Sequence, residues 1–393
     1  MRVVGVIAEY NPFHLGHAHH LAQARCLSGA DAVVAIMSSV FTQRGDAALL
    51  SPIDRARMAL SAGADAVFAL PAAWAVRDAE HFALGGVAIA AGLGCDALSF
   101  GTEVHELPRM QQAAQLLEAP DAAFSTAVQT RMQSGLPYPS AISAALEAAL
   151  PGAGVLLESP NSTLGICYLR AMLHLGTSMA VVPVQRIGGY HDTRLQGGLP
   201  SATALRGAIL RGNWPTVRAA MPQEAYRVLR AAAAQGRIHQ PDALDTALLY
   251  RLRTMSAADY AALPDVSEGI EHRLAAAAGV AHSREALLQC AKTRRYPYAR
   301  LSRLATHALL GLTDAFLRAE ELPRAAWLLG FRRDNRALLT HLKEHATLPI
   351  LGKAADADRS APWFTAEARA YDLWALGAGL PAGLALTQGV TVV

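Results

Sequence analysis

Near the start of the chain, Val3-Val4-Gly5-Val6-Ile7-Ala8 is an unbroken apolar run. A run without polar alternation reads as a strand buried on both faces of a parallel sheet. A helical pattern through Leu21, Ala24 and Arg25 follows it. Three similar junctions recur downstream: Gly29-Ala30-Asp31-Ala32-Val33-Val34, Gly63-Ala64-Asp65-Ala66-Val67-Phe68 and Gly94-Cys95-Asp96-Ala97-Leu98-Ser99-Phe100. Each predicts a helix ended by a left-handed Gly, then a turn, then a strand. Met179-Ala180-Val181-Val182-Pro183-Val184 predicts a fifth strand. Strands alternating with helices imply an α/β fold with a doubly wound parallel sheet and ligands at the carboxyl ends of its strands. After about residue 200 the strand pattern stops. Ala202–Arg211, Thr216–Ala234, Leu244–Met255, Gly269–Ala278 and Ser283–Cys290 read as helices, with Pro and Gly between them. The expected division is therefore 1–200 as an α/β catalytic domain and 201–393 as a mostly helical C-terminal domain, with a small subdomain after Pro323.

Composition narrows the class. A chain of 393 residues has room for two or three domains. Its net charge of +3 is a weak pointer to an anionic partner, so the placement of charge matters more. Cys26, Cys95, Cys167 and Cys290 are widely spaced and fit a reducing compartment. The chain does not open with a charged segment followed by an apolar one, so a secretory leader is not expected and a cytoplasmic location is. The apolar tail from Leu373 to Val393 is interrupted by Pro381, Gln388 and several glycines; it reads as a packed terminus rather than a membrane span. Oligomeric state is not legible.

The chemistry concentrates after the first strand, in Asn11-Pro12-Phe13-His14-Leu15-Gly16-His17. A strand, a tight turn and a helix N-terminus bring backbone N–H groups to phosphate. His14 and His17 share a face on the first helical turn. Two imidazoles beside a small Gly suit an α-phosphate whose charge builds up during adenylyl transfer. His19 and His20 enlarge the cluster, but only Glu9 and Cys26 lie nearby and complete no metal-ligand spacing, so a metal site is not expected there.

Other candidates follow strands or open helices. Gly101, in Phe100-Gly101-Thr102-Glu103, permits close approach of a base or ribose. Ser159-Pro160-Asn161 reads as a helix start, with Asn161 placed for nucleotide. Arg186 follows the fifth strand and precedes a Gly pair, a setting for phosphate. Ser201, Thr203 and Arg206 open another helix and can face one anion, and Arg44 lies in the loop after the second strand. The densest basic stretch, Lys292 to Arg303, contributes Lys292, Arg294, Arg295, Arg300 and Arg303, with Tyr296 and Tyr298 interleaved. Cations with aromatics between them suit backbone phosphates and base stacking on RNA.

The His14-Leu15-Gly16-His17 motif is the H-x-G-H signature of the nucleotidylyltransferase superfamily. In combination the landmarks resemble the bacterial tRNA(Met) cytidine acetate ligase family. The resemblance is carried by Gly5 through His17, Gln43-Arg44-Gly45, Phe82-Ala83-Leu84-Gly85, Phe100-Gly101-Thr102-Glu103, Ser159-Pro160-Asn161, Arg186-Ile187-Gly188, Ser201-Ala202-Thr203 and Lys292-Thr293-Arg294-Arg295-Tyr296. Leu329-Gly330-Phe331 and Leu348-Pro349-Ile350 extend it toward the C-terminus.

The resemblance implies a Rossmann-like sheet of nucleotidylyltransferase type. It also implies an enzyme that uses ATP, with Mg2+ on the triphosphate, to activate acetate as acetyl-adenylate. The acetyl group then passes to the wobble cytidine amine of elongator tRNA(Met). The ATP site it implies runs through Ile7, Ala8, Glu9, Tyr10, Asn11, Pro12, Phe13, His14, Leu15, Gly16, His17, Ala18, His19 and His20, with Gly101, Asn161 and Arg186. Two departures stand out. The family usually has Gly-Asn at Ser39-Val40 and often Glu-Leu-Pro at Ala69-Leu70-Pro71. The first bears on the loop carrying Arg44, because Val lacks the left-handed tolerance and side-chain bonding of Asn. A nucleotidylyltransferase for a small phosphorylated metabolite, or a non-catalytic nucleotide- or RNA-binding protein, are the rival readings; the first leaves the helical half and basic stretch unused.

Overall fold

The computed structural model describes residues 1–103, 106–185, 201–267 and 269–393. Its strands are β1 (Val3–Ala8), β2 (Ala32–Ser38), β3 (Ala66–Leu70), β4 (Ala97–Thr102), β5 (Ala180–Gln185), β6 (Ala326–Phe331), β7 (Ile350–Leu351) and β8 (Thr391–Val392). They form one sheet in the order β5-β4-β1-β2-β3-β6-β7, with β8 also on β6. The first five pair in parallel. This is the doubly wound order, and its reversal lies between β1 and β4. The helices that frame the site are α1 (Leu15–Ser28), α2 (Pro52–Ser61), α3 (Ala79–Gly92), α4 (Pro160–His174), α5 (Ala202–Leu210), α6 (Arg284–Ala291), α7 (Tyr298–Leu310) and α8 (Pro362–Gly377).

The repeated Gly-x-Asp junctions have a common mechanism. Gly29, Gly63 and Gly94 take positive φ, as a chain leaving a helix requires. The Asp two residues later then accepts a backbone N–H at the start of a strand. Asp31 binds Arg2 N, Asp65 binds Val33 N and Asp96 binds Val3 N, each at 2.7 Å. The carboxylates satisfy donors that the ladder leaves open and hold the amino ends of β1 and β2 in register.

The reading that strands end near residue 200 needs correction. β6 joins the sheet antiparallel to β3, pairing Ala66 with Phe331 and Ala69 with Trp327. Its outer edge carries β7 at Ala326 and Trp327 and β8 at Gly330 and Phe331. The apolar run Ala326–Phe331 was a strand signal among Ala-rich helices, and five of its six residues are buried. The tail thus ends as part of the sheet. No described helix is long and apolar enough to cross a membrane. The helical runs after residue 200 fall close to their expected places, except that Thr216–Ala234 is two helices, Trp214–Ala220 and Gln223–Ala234. Pro222 between them denies Met221 a helical conformation.

The late helix α8 packs under the carboxyl ends of β2 and β3. Its Glu367 is buried and accepts the Ala72 N–H at 2.6 Å with Oε2. Burial pushes the Glu367 carboxyl up to about 7, against the pull of that bond. Its charged form is therefore disfavoured in the fold. The contribution of its neutral form to stability is complete below about pH 4.5 and is lost as pH rises to about 7. Glu367→Gln should match the parent near pH 4.5 and exceed it at pH 8 by roughly 2–4 kcal/mol in urea unfolding. A parallel pH dependence of the two proteins would show that the carboxyl does not titrate in this range.

Candidate nucleotide and RNA site

His14 is the N-cap of α1, and His17 is its third residue. The His14 ring accepts the Gly16 N–H at its Nδ1 at 3.1 Å. The His17 ring accepts the His14 N–H at its Nδ1 at 3.2 Å. Two imidazoles thus perform the reciprocal capping usually done by Ser or Thr with Glu or Gln. The rings stack, with centroids 3.8 Å apart and planes 22° apart. An Nδ1 that accepts a backbone N–H carries no proton, so the neutral tautomer of each ring is Nε2–H. Capping therefore sets the tautomer: in its neutral form each ring carries its proton on Nε2.

Aromatic packing holds the pair. Tyr10 and Phe13 lie 5.0 and 5.4 Å from the His17 ring. Tyr10 has φ of 47°, an uncommon conformation for a bulky residue that its burial enforces. Gly16 has no room for a side chain, since a Cβ there would meet His14 Cε1 at 2.9 Å. His20 Nε2 lies 3.1 Å from Ser99 Oγ, which ties α1 to β4 across the switch point.

Asn11 does structural work. Its Oδ1 accepts Leu49 N–H at 2.8 Å, and its carbonyl accepts from Arg206 Nη1 at 2.8 Å. The Ser201–Arg206 element is thereby joined to the histidine loop across 195 residues. Ser201 caps α5 by accepting Ala204 N–H, and Thr203 Oγ1 accepts from Arg206 Nη2 at 3.1 Å. Burial lowers the pKa of Arg206, while Asp46 and Glu9 oppose the shift. Glu9, at the end of β1, accepts Gln43 N–H at 2.7 Å. Burial raises its pKa, against that bond and the charges of Arg206 and Arg44.

On the other side of the switch point, Gly101 is part of β4 and opposes Val184. Asn161 is the second residue of α4, as expected, but Ser159 makes no side-chain cap there. Glu103 does that work. Its carboxylate accepts from Asn161 Nδ2, from Ser162 N at 3.1 Å and from Ser162 Oγ at 3.2 Å. A protein carboxylate thus occupies this helix N-terminus. Its pKa is lowered overall: these hydrogen bonds, led by that from Asn161, outweigh desolvation. Arg186 lies outside the described residues.

The basic stretch divides. Lys292, Arg294 and Arg295 are exposed on the connection between α6 and α7. Arg300 donates to Asp265 O and Ser267 Oγ, and burial lowers the pKa of Arg303. Tyr296 is only 8% exposed and Tyr298 donates its hydroxyl to Glu285 Oε2 at 2.6 Å. The expectation that both tyrosines stack on bases does not fit these positions, because the apolar core and Glu285 already use them.

Sequence reasoning missed Arg55, Glu103 as a cap, and Arg284. Arg55 is buried and donates to the carbonyls of Glu9 at 2.7 Å, Ser38 at 2.9 Å, Leu50 at 3.2 Å and Ser39. An Arg on the inner face of α2, among apolar residues, was the only signal for it. Ser39-Val40 proves compatible with the loop. Val40 is buried, and Tyr10 and Asp265 are the only non-Gly residues with positive φ among those described. The loop closes through Thr42 N to Asp46 O and Ala48 N to Val40 O, bonds that need no Asn side chain.

A family model described as HIGH Nucleotidyl Transferase matches residues 1–381. The tRNA(Met) cytidine acetate ligase of Geobacillus sp. (strain WCH70) is 36% identical over 362 residues, covering 91% of this chain and 90% of the relative. That of Bacillus subtilis (strain 168) is 33% identical over 363 residues, covering 90% and 87%. The crystal structure of Thermotoga maritima TmcAL bound with alpha-thio ATP matches over all of both chains, with TM-score 0.91 and 26% identity. Its apo form matches equally completely, with TM-score 0.94.

Gly16→Ala should push the His14 ring out of its capping position. Nucleotide-dependent pyrophosphate release is expected to fall roughly 10–100-fold, with cooperative unfolding retained. Unchanged turnover would show that the ring position does not matter.

Proposed function

The chain belongs to the tRNA(Met) cytidine acetate ligases among the HIGH nucleotidyl transferases, and from this membership we propose that it activates acetate with ATP and acetylates the wobble cytidine of elongator tRNA(Met). The observation that carries the reading is the paired use of Nδ1 in the cap of α1, which turns both Nε2–H groups into prearranged donors. Acetate is a poor acyl donor because its leaving oxygen is basic. An oxygen of acetate attacks the α-phosphorus of ATP, pyrophosphate leaves, and a mixed anhydride results. Charge accumulates on the equatorial oxygens during this step, where His14 and His17 donate. Arg206 and the amino end of α5 receive the outer phosphates. Gly101 and Asn161 then face the nucleoside side of the cleft, and the family resemblance adds Arg186 to the nucleotide contacts.

In the second step the cytidine amine attacks the acyl carbon, loses a proton, and AMP leaves. The base must be splayed from the anticodon loop to reach the cleft. Lys292, Arg294 and Arg295 are the cations we assign to its backbone phosphates; Arg300 and Arg303 support that surface from within. The chemistry is assigned to 1–200 and RNA binding to 201–393, with β6 returning to complete the sheet. Among the described residues no three His, Cys, Asp or Glu gather as metal ligands. In this reading Mg2+ enters with ATP, on the triphosphate. A tRNA substrate implies a cytoplasmic location.

His14→Ala should lower acetate-dependent pyrophosphate release by about 100–1000-fold while the protein still unfolds cooperatively. Retained turnover would remove the role given to the imidazole. Acetate dependence itself separates this reaction from a metabolite adenylyltransferase, which would ignore acetate. Arg294→Ala combined with Arg295→Ala should weaken tRNA binding and reduce its salt slope by about 2, leaving tRNA-free pyrophosphate release unchanged. Loss of both activities together would assign these residues to the folded core.

A further inference from the structure

Arg284 is the first residue of α6, far in sequence from every residue assigned to nucleotide chemistry, yet it reaches the rim of the cleft. Its Nη2 donates to Gly45 O at 2.9 Å, Ser302 O at 3.2 Å and Ser302 Oγ at 2.7 Å, and its Nη1 to Thr306 Oγ1 at 3.0 Å. Asp46 lies 3.8 Å away as an ion-pair partner. Two hydroxyls of α7 complete the contact: Ser302 Oγ donates to Arg44 O at 2.6 Å and Thr306 Oγ1 to Gly45 O at 2.6 Å. The approach is close, since a Cβ on Gly45 would meet Ser302 O at 2.8 Å.

The Gln43–Asp46 loop therefore has two sides. Inward, Gln43 N–H holds the Glu9 carboxylate and Gln43 Nε2 donates to Arg77 O. Outward, the loop hangs from the α6–α7 hairpin, whose connection carries Lys292, Arg294 and Arg295. The same hairpin is braced by the Tyr298–Glu285 bond. His14 and His17 are held by their own capping bonds within α1, and Arg284 takes no part in those.

We infer that Arg284 is a positioning residue for acyl transfer: it locks the Gln43–Asp46 loop to the RNA-bearing hairpin, so that a base delivered by bound tRNA meets a fixed rim of the adenylate cleft. This rests on the function proposed above. A guanidinium fork is needed because four acceptors on two segments, the loop and α7, are bridged at once, which an ammonium cannot match. Adenylate formation does not need this lock; transfer does, because it requires two binding sites in one geometry.

The test uses the full-length protein with Arg284→Met, Arg284→Lys and Ser302→Ala. Three quantities are read: acetate-dependent exchange of pyrophosphate into ATP without tRNA, Kd for unmodified elongator tRNA(Met), and single-turnover transfer from preformed acetyl-adenylate at saturating tRNA. For Arg284→Met the first two are expected within about threefold of the parent and transfer is expected to fall about 10–100-fold. Arg284→Lys should recover part of the loss, and Ser302→Ala should show the same pattern more weakly. Unchanged transfer overturns the inference, as does a parallel decline of all three quantities, which would mean a merely structural residue. If Arg284→Met does not fold, Ser302→Ala decides by the same criteria. A parent protein that shows neither exchange nor transfer removes instead the function on which the inference rests.

Discussion

A single buried cation organises the floor of the cleft. Arg55 gathers carbonyl groups from the carboxyl ends of β1 and β2 and from the loop at Leu50, where parallel strands leave acceptors without ladder partners. Burial pushes its pKa down to about 10, so it remains charged at neutral pH. Each carbonyl left without a donor would cost about 1–3 kcal/mol, so the four bonds together compete with the whole net stability of a domain. The backbone that leads from β1 into the histidine loop is placed by this one side chain.

On that floor the site is built with few parts. The imidazoles proposed to donate toward phosphate are also the cap of the helix that carries them. Their orientation is set by the capping bonds of the helix itself and by the aromatic packing of Tyr10 and Phe13. The cost appears in the neighbours: Gly16 cannot bear a Cβ, and Tyr10 is held at positive φ under an aromatic cluster. Such local strain is tolerated only where surrounding packing over-determines it. The opposite wall follows another logic. There the Glu103 carboxylate already occupies the amino end of α4, which leaves that helix end unsuited to a phosphate.

The two halves of the chain are less separate than a division at residue 200 implies. β6 crosses back into the sheet, Arg206 bonds the histidine loop, and α7 holds the loop of Gln43 to Asp46. An enzyme joining an RNA base to an adenylate needs its two binding surfaces in fixed relation. Attachment of the α6–α7 hairpin, the surface proposed for RNA, to the cleft rim meets that need. Ser39 and Val40, just before this loop, are buried, and the loop closes through backbone bonds that use no Asn side chain.

The parallel strands, their Gly-x-Asp junctions and the histidine pair were all readable in the sequence, because each depends on residues within one turn or strand. The resemblance supplied the reaction for the same local reason: its motifs are short and lie at strand ends. The roles of Arg55, Glu103 and Arg284 depended on tertiary structure, since their partners lie 5 to 239 residues away and a lone Arg or Glu in a helix or loop carries no mark of its partner. The same holds for Tyr296, whose place among cations suggested stacking and whose burial the fold decided. Periodicity reports what a segment can hide; only the assembled chain determines which polar groups meet once it is hidden.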